Sequence, residues 1–417
     1  MSTVTKPIVL DETVQALNHL IAHQNAAIDV LAADKRADLV TNVAGIAELA
    51  KNGELLEVMD YGDEIHPEWV EGTTHYNPAM NLCHESDELL EDGESIHGCF
   101  FEWDKTIPFG VPFDEPEAIY SFDGTEGAGT FNISIGTAYG TGWLTSKVIQ
   151  FTLDSAPDEN DQLVIDCGAN YANDPTNSRN WYVYAKGSTT AKQSGTTSNG
   201  TSGTNLGTIG NVNAYTPNGK LNAISRVVYG YNRWSQSGLR QWLNSAAAAG
   251  SWWTPQNAWD RPPAVAATKA GFLAGYNEDV RRYFKPIKVV TVACDADGNA
   301  EDVTYDKVFL SSLEQMYCVS QFSGKEGSYW EYYKRLLGRT SPAPTSATYA
   351  RLIKYGLGTT SAQYCFRRSA YRYYAINVWL VNTSGDVTTS YALYANRCAP
   401  SCLSQIKLSR SAHLRTG

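Results

Sequence analysis

The side chains best suited to covalent or metal chemistry are scattered along this 417-residue chain, and their spacings form no reactive set. The cysteines (Cys83, Cys99, Cys167, Cys294, Cys318, Cys365, Cys398 and Cys402) contain no paired CxxC motif, so they read as small buried hydrophobes. Cys398 and Cys402 are close enough in sequence that a thiolate pair there could take copper, but closing the fold with two small residues is the simpler account. His84 and His97 lie near Cys83 and Cys99 without the tight ligand spacing of a metal site. The histidines fall mostly in the first hundred residues, away from any serine–acid set. Asp260, Glu278 and Asp279 show no spacing that a pair of glycosidase carboxylates would require. In the terminal loops Asp386 is the sole acid, so a calcium-independent site is expected. The chain is therefore expected to have no catalytic residues, no metal and no cofactor, and to work by binding.

The segment Tyr364–Cys402, YCFRRSAYRYYAINVWLVNTSGDVTTSYALYANRCAPSC, carries two interleaved kinds of position. Arg368, Ser369, Ala375, Val378, Trp379, Val381, Gly385, Val387, Ala392, Arg397 and Pro400 are the types that build a strand–turn–strand frame. Arg367, Tyr371, Tyr373, Tyr374, Ile376, Leu380, Thr388, Thr389, Ser390, Tyr391, Leu393 and Tyr394 form a chemically mixed set, rich in tyrosine. Tyrosine offers a stiff contact surface and a hydroxyl at low entropic cost, which suits it to binding faces. The mixed set is expected to be an exposed ligand surface. Between Gln363 and Gln405 there is no Lys, Glu, Gln, Met or His. Every residue type in the mixed set can be encoded by an asparagine codon whose adenines have been replaced, whereas Lys, Glu, Gln, Met and Trp cannot.

Elements must hold such a face in place. Residues 11–52 are expected to be helical, capped by Asp11, with Val14, Leu17, Ile21, Ile28 and Leu31 at three–four spacing and Leu39, Val43, Ile46 and Leu49 on a shifted stripe. That stripe suits either a self-associating stalk or a hairpin packed on the next domain. Residues 54–115 are turn-rich and acidic. Alternation at Phe131, Ile133 and Ile135, at Ile149, Phe151 and Leu153, at Leu163, Ile165 and Cys167, and at Trp181 and Val183 predicts a small antiparallel β domain over 116–207. Its last part, 187–207, is Gly-, Ser- and Thr-rich and is expected to be a loop or linker. From 208 onward, strand and helix signals mix, so the fold class is α+β.

Composition narrows the function classes. With 43% hydrophobic and 18% charged residues the chain can bury several cores. No apolar run approaches the roughly 18 to 20 residues of a membrane span. A net charge of −11 argues against nucleic acid as a ligand. The opening MSTVTKPIVLDETVQ lacks the pattern of an export signal.

The FRRS motif, the variable-looking residues around VW and SGDV, and the closing NRCAPSC together resemble the variable region of proteins diversified by diversity-generating retroelements. In that family a reverse transcriptase copies a template into the target gene with adenine-specific errors. YNRWSQSGLRQWLNS (231–245) and GSWWTPQNAWD (250–260) are similar to a domain found in gut phage and Firmicutes proteins. The resemblance covers 208–404, with 54–115 as the first part of the same domain and the β unit inserted. It implies a C-type lectin-like fold of the formylglycine-generating or sulfatase-modifying-factor type at 208–417, with the variable region at 364–402. It also implies a phage receptor-binding or host-adhesion protein rather than an enzyme, made in the bacterial cytoplasm and carried on the virion as a tail or head fibre. Its partners would be a host-surface protein or glycan, other virion proteins, and further copies of itself in a homotrimer or other homo-oligomer joined through residues 1–53. A decoration protein without ligand, or a formylglycine-generating-like oxidoreductase, are the alternatives.

Overall fold

The computed structural model describes residues 14–15, 17–24, 43–134, 148–166, 179–208 and 228–405. Within them the architecture is mixed α and β, mostly strands with a few short helices. The expected positions Asp11, Ile28, Leu31, Leu39, Ile135 and Cys167 lie outside the described residues.

A five-stranded sheet organises the main body, in the order Glu64–Ile65, Met80–Leu89, Ser95–Trp103, Ser401–Ser404, Val308–Phe309. All its pairs are antiparallel. Ser95–Trp103 pairs with Ser401–Ser404, so the 54–115 segment and the end of the described chain share one sheet. The core it covers is aromatic: Trp69, Trp103 and Phe272 pack with ring centroids 5.4 Å apart. Their polar edges are satisfied, since Trp69 Nε1 donates to Phe272 O at 3.0 Å and Trp103 Nε1 to the Tyr276 hydroxyl at 3.0 Å. Helix Val43–Asn52 buries Ile46, Leu49 and Ala50 in this core. The helical residues at 14–24 instead leave Val14, Leu17, Leu20 and Ile21 exposed.

The β unit is built from two sheets. One has the order Ala191–Thr196, Asn180–Tyr184, Gln162–Asp166, Ala118–Ser121, and the other Thr204–Thr208, Gly129–Ser134, Val148–Leu153. Between them Phe131, Ile133, Ile149, Phe151, Leu163, Ile165, Trp181 and Val183 form a separate core. The 187–207 segment is not a loop. It supplies an outer strand to each sheet, Ala191–Thr196 and Thr204–Thr208, the second parallel to Gly129–Ser134. Backbone ladders hold it there rather than apolar burial. Gly195 lies against the Trp181 ring, where an added Cβ would come within 2.7 Å, and Gln150 Nε2 donates to Ser202 O at 2.5 Å. Polar residues suit such edges because they discourage pairing with another chain.

A four-stranded sheet carries the tyrosine-rich segment, in the order Val387–Tyr391, Asn377–Val381, Cys365–Ala370, Arg397–Cys398. The turn joining its first two strands contains Gly385 at φ +90°, where a Cβ would meet Tyr349 O at 2.6 Å. Glycine is required there by conformation and by space.

Candidate functional site

Strand Cys365–Ala370 is buried along its whole length, covered on both faces. Arg367 is fully buried: its Nη1 donates to Ser311 Oγ at 2.8 Å and lies 3.5 Å from the Glu102 carboxylate. Lys354 reaches the same carboxylate at 3.2 Å. Burial pushes the Glu102 carboxyl up, and the two cations more than reverse this, leaving it below its usual value. Arg368 points into a different network, donating to Leu310 O at 2.7 Å, to Gln315 and to Glu326 O at 2.5 Å. Ser369 Oγ donates to Glu326 at 2.5 Å and accepts from Leu313 N. Every member of the frame set is buried except Arg397, which is half-buried.

Arg367, Ile376 and Leu380 depart from the exposed surface expected of the mixed set. Arg367 neutralises Glu102 inside the main body, and Leu380 belongs to the aromatic core, because Trp379, Leu380 and Val381 are buried consecutively on a strand covered on both faces. Ile376 packs into the core of the β unit together with Tyr229, and Tyr391 and Leu393 lie against the same cluster. Leu393 N donates to Tyr229 O at 3.0 Å, and the Tyr229 and Tyr391 rings are 4.9 Å apart. The β unit therefore sits on one side of the mixed set and withdraws part of it from solvent.

The other side is open. Tyr373 and Tyr374 are 57% and 44% exposed, the most accessible members of the set. Tyr371, half-buried, links them to the sheet: its ring is edge-on to Tyr373 at 5.6 Å, stacked on Tyr374 at 5.7 Å and edge-on to Trp379 at 5.6 Å. Burial, then the neighbouring Tyr374 and Tyr373, push the Tyr371 hydroxyl above its usual pKa, so it remains a donor. Thr388, Thr389 and Ser390 are half-buried on the outermost strand Val387–Tyr391, and Tyr394 stands 5.4 Å from Tyr391.

Asn232, which sequence reasoning missed, fixes the tyrosine turn from beneath. It is fully buried, and its Nδ2 donates to Tyr371 O, Tyr374 O and Asn377 O at 3.2, 3.0 and 2.8 Å. Its backbone N–H donates to Ala375 O at 2.8 Å. The only sequence signal for it was its place inside the YNRW motif. Gln321 supports the flank, its Oε1 accepting from Arg372 N at 2.9 Å and from Trp379 Nε1 at 3.4 Å, while Arg372 pairs with Asp295 at 2.9 Å. The result is a stiff turn presenting aromatic rings.

Among the described residues the reactive candidates do not assemble. Cys398 and Cys402 are buried, and burial pushes both thiols up, so they stay protonated and poor ligands. His97 lies between Glu85 and Asp87 at 2.7 and 2.8 Å, and His84 is stacked on Phe100. Asp260 accepts backbone N–H groups from Gln256 and Arg261, whereas Glu278 and Asp279 pair with Arg281 and Arg282 on their own helix. Among the described residues no group of three or more His, Cys, Asp and Glu could hold a metal ion. No described helix is long and apolar enough to cross a membrane.

Residues 216–404 match the family model of a domain of unknown function (DUF6273), a stretch that includes Asn232 and the whole tyrosine-rich segment. No curated protein and no solved structure matches the chain.

Proposed function

We propose that this chain is a receptor-binding protein that displays a diversified ligand face on a C-type lectin-like scaffold, carried on a phage virion and joined to further copies of itself through its N-terminal segment. The observation that carries the proposal is the turn at 371–377, which holds Tyr373 and Tyr374 in solvent while Asn232 and Trp379 hold its backbone and base. Rigid aromatic side chains on a preorganised backbone lose little entropy on binding and serve as interface anchors. The frame residues lie in the core, where substitution is costly, and the displayed tyrosines lie where it costs little. That division is what a scaffold needs if one face is to vary while the fold persists. Among the described residues the reactive candidates lie apart from one another, which favours a reading by binding.

The test replaces Tyr373 and Tyr374 together by Ala and measures binding of the purified protein to host cells. Binding is expected to be lost, with a stability change of about 0.5 kcal/mol or less per site. Retained binding would remove this face from the mechanism, and a large drop in stability would make the tyrosines structural. Each copy can bind weakly, because several copies on one virion act through avidity.

A further inference from the structure

A cleft of about 660 Å³ opens between strands Met80–Leu89 and Ile287–Val292 and the 324–330 loop, reached from strand Cys365–Ala370 by Arg368. The two strands meet at a single bridge, Leu90 to Ile287, and the cleft lies beside it. Its size falls in the range of roughly 300–1,000 Å³ common for small-molecule sites. Leu89 and Tyr329, 43% and 38% exposed, supply the accessible apolar wall, and Phe100, Phe309 and Trp330 are buried behind it, with Phe100 stacked on Trp330 at 5.3 Å.

Six charged side chains also line it, and most are already committed. Asp87 holds His97 at 2.8 Å, and Lys325 pairs with Glu301 at 2.7 Å. Glu314 accepts the backbone N–H groups of Gly324 and Glu326. Arg368 is occupied by Leu310, Gln315 and Glu326. Two remain. The half-buried Lys288 has neither an ion pair nor a side-chain hydrogen bond among the described residues, and the Glu88 carboxyl has one hydrogen bond, from Ser86 Oγ at 2.8 Å. The cleft thus offers one free cation, one acid that has no contact ion pair and feels Arg368 only at longer range, and an apolar wall.

We propose that this cleft is a second binding site, separate from the tyrosine face, for a zwitterionic small molecule of the amino-acid type. Its carboxylate pairs with Lys288, its ammonium with Glu88, and its aromatic or aliphatic body lies against Leu89 and Tyr329. Charge complementarity selects this class. A simple carboxylate would leave Glu88 without a contact counter-ion in a partly desolvated site, a simple amine would leave Lys288 so, and a polyphosphate would need more free cations than one. Burial pushes the Glu88 carboxyl up, and a bound ammonium would oppose that shift.

The test titrates the full chain, labelled with 15N at the tryptophan indoles, with L-phenylalanine, 3-phenylpropionate and 2-phenylethylamine in parallel. The expected result is a saturable shift of the Trp330 indole, with phenylalanine binding at least about tenfold tighter than either single-charge analogue, a difference of roughly 1.4 kcal/mol. Lys288→Ala and Glu88→Gln should each weaken phenylalanine binding about tenfold. Lys288→Ala should leave the amine's affinity unchanged, and Glu88→Gln that of the carboxylate, whereas Tyr373→Ala with Tyr374→Ala should alter none of them. No saturable shift with any of the three compounds, or equal affinities that neither cleft variant alters, would overturn the proposal. Loss of phenylalanine binding in the tyrosine variant alone would move the site to the other face.

Discussion

Asn232 shows how much a single buried amide can decide. Its Nδ2 serves three carbonyls of the tyrosine turn, and the turn's own bonds, Tyr371 N to Asn377 O at 2.9 Å and Asn377 N to Tyr374 O at 3.2 Å, depend on that anchor. Asn232→Ala should cost about 1–3 kcal/mol, the range for leaving buried polar groups unpaired. Asn232→Asp should cost more, because a carboxylate would face those carbonyl oxygens. Urea denaturation and amide exchange at Tyr371 and Asn377 check this: equal stability of wild type and Asn232→Ala would show that the turn holds itself. The tyrosines of this turn were legible from residue type and interleaving, but their anchor was not, since an asparagine 139 positions before Tyr371 carries no local mark of its partners. Arg367 was illegible for a related reason. Arginine beside a tyrosine-rich run reads as surface, and its burial is set by Glu102, which lies 265 positions away in sequence.

At the scale of elements, period-two alternation revealed the strands of the β unit, because each has one face on a core and one outside it. It failed where that condition fails. Ala191–Thr196 is a polar strand held by its ladder to Asn180–Tyr184, and Cys365–Ala370 is buried on both faces, so neither alternates in apolar character. The N-terminal apolar stripe resolves into two behaviours. Val43–Asn52 spends its stripe on the main core, whereas Val14, Leu17 and Ile21 keep theirs exposed at coiled-coil spacing. An uncovered stripe of this kind matches the self-association proposed for the N-terminal segment. Leu17→Asp with Ile21→Asp should convert an oligomer to monomer in light scattering while leaving the thermal transition of the main body in place. A wild-type monomer at tens of micromolar would reject that role for the helix.

At the scale of the whole molecule, the β unit and main body meet over a buried set of acids. Asp114 and Glu115 lead into strand Ala118–Ser121, and Ala118 N donates to Trp259 O, next to Asp260. Burial raises the carboxyl pKa of Asp114 well above the ordinary range, with Asp260 and Glu117 adding to the shift. Burial likewise lifts Glu115 to about 7, opposed by Arg261, and Asp260 to about 6, opposed by the Gln256 and Arg261 backbone N–H groups. Arg261 is the local counter-charge, with its guanidinium 3.3 Å from the centre of the Tyr184 ring and one donor on Ser188 O at 3.2 Å. Because these folded-state values lie above those of the unfolded chain, the folded state holds more protons across the interval between them. The stabilising contribution is therefore complete below about pH 4, the ordinary carboxylate range. It is lost as pH rises through about 6 to 7. The β unit should consequently dock more firmly at pH 5 than at pH 8. Amide exchange at Ala118 and in strand Gln162–Asp166, corrected for the intrinsic pH dependence of exchange, should show protection falling over that interval, with the Ser95–Trp103 strand unchanged. Since Ile376, Tyr391 and Leu393 share the β unit's core, the same loosening should expose that half of the mixed set. Protection that is flat or rises with pH would mean that Arg261 and the backbone donors already neutralise the junction.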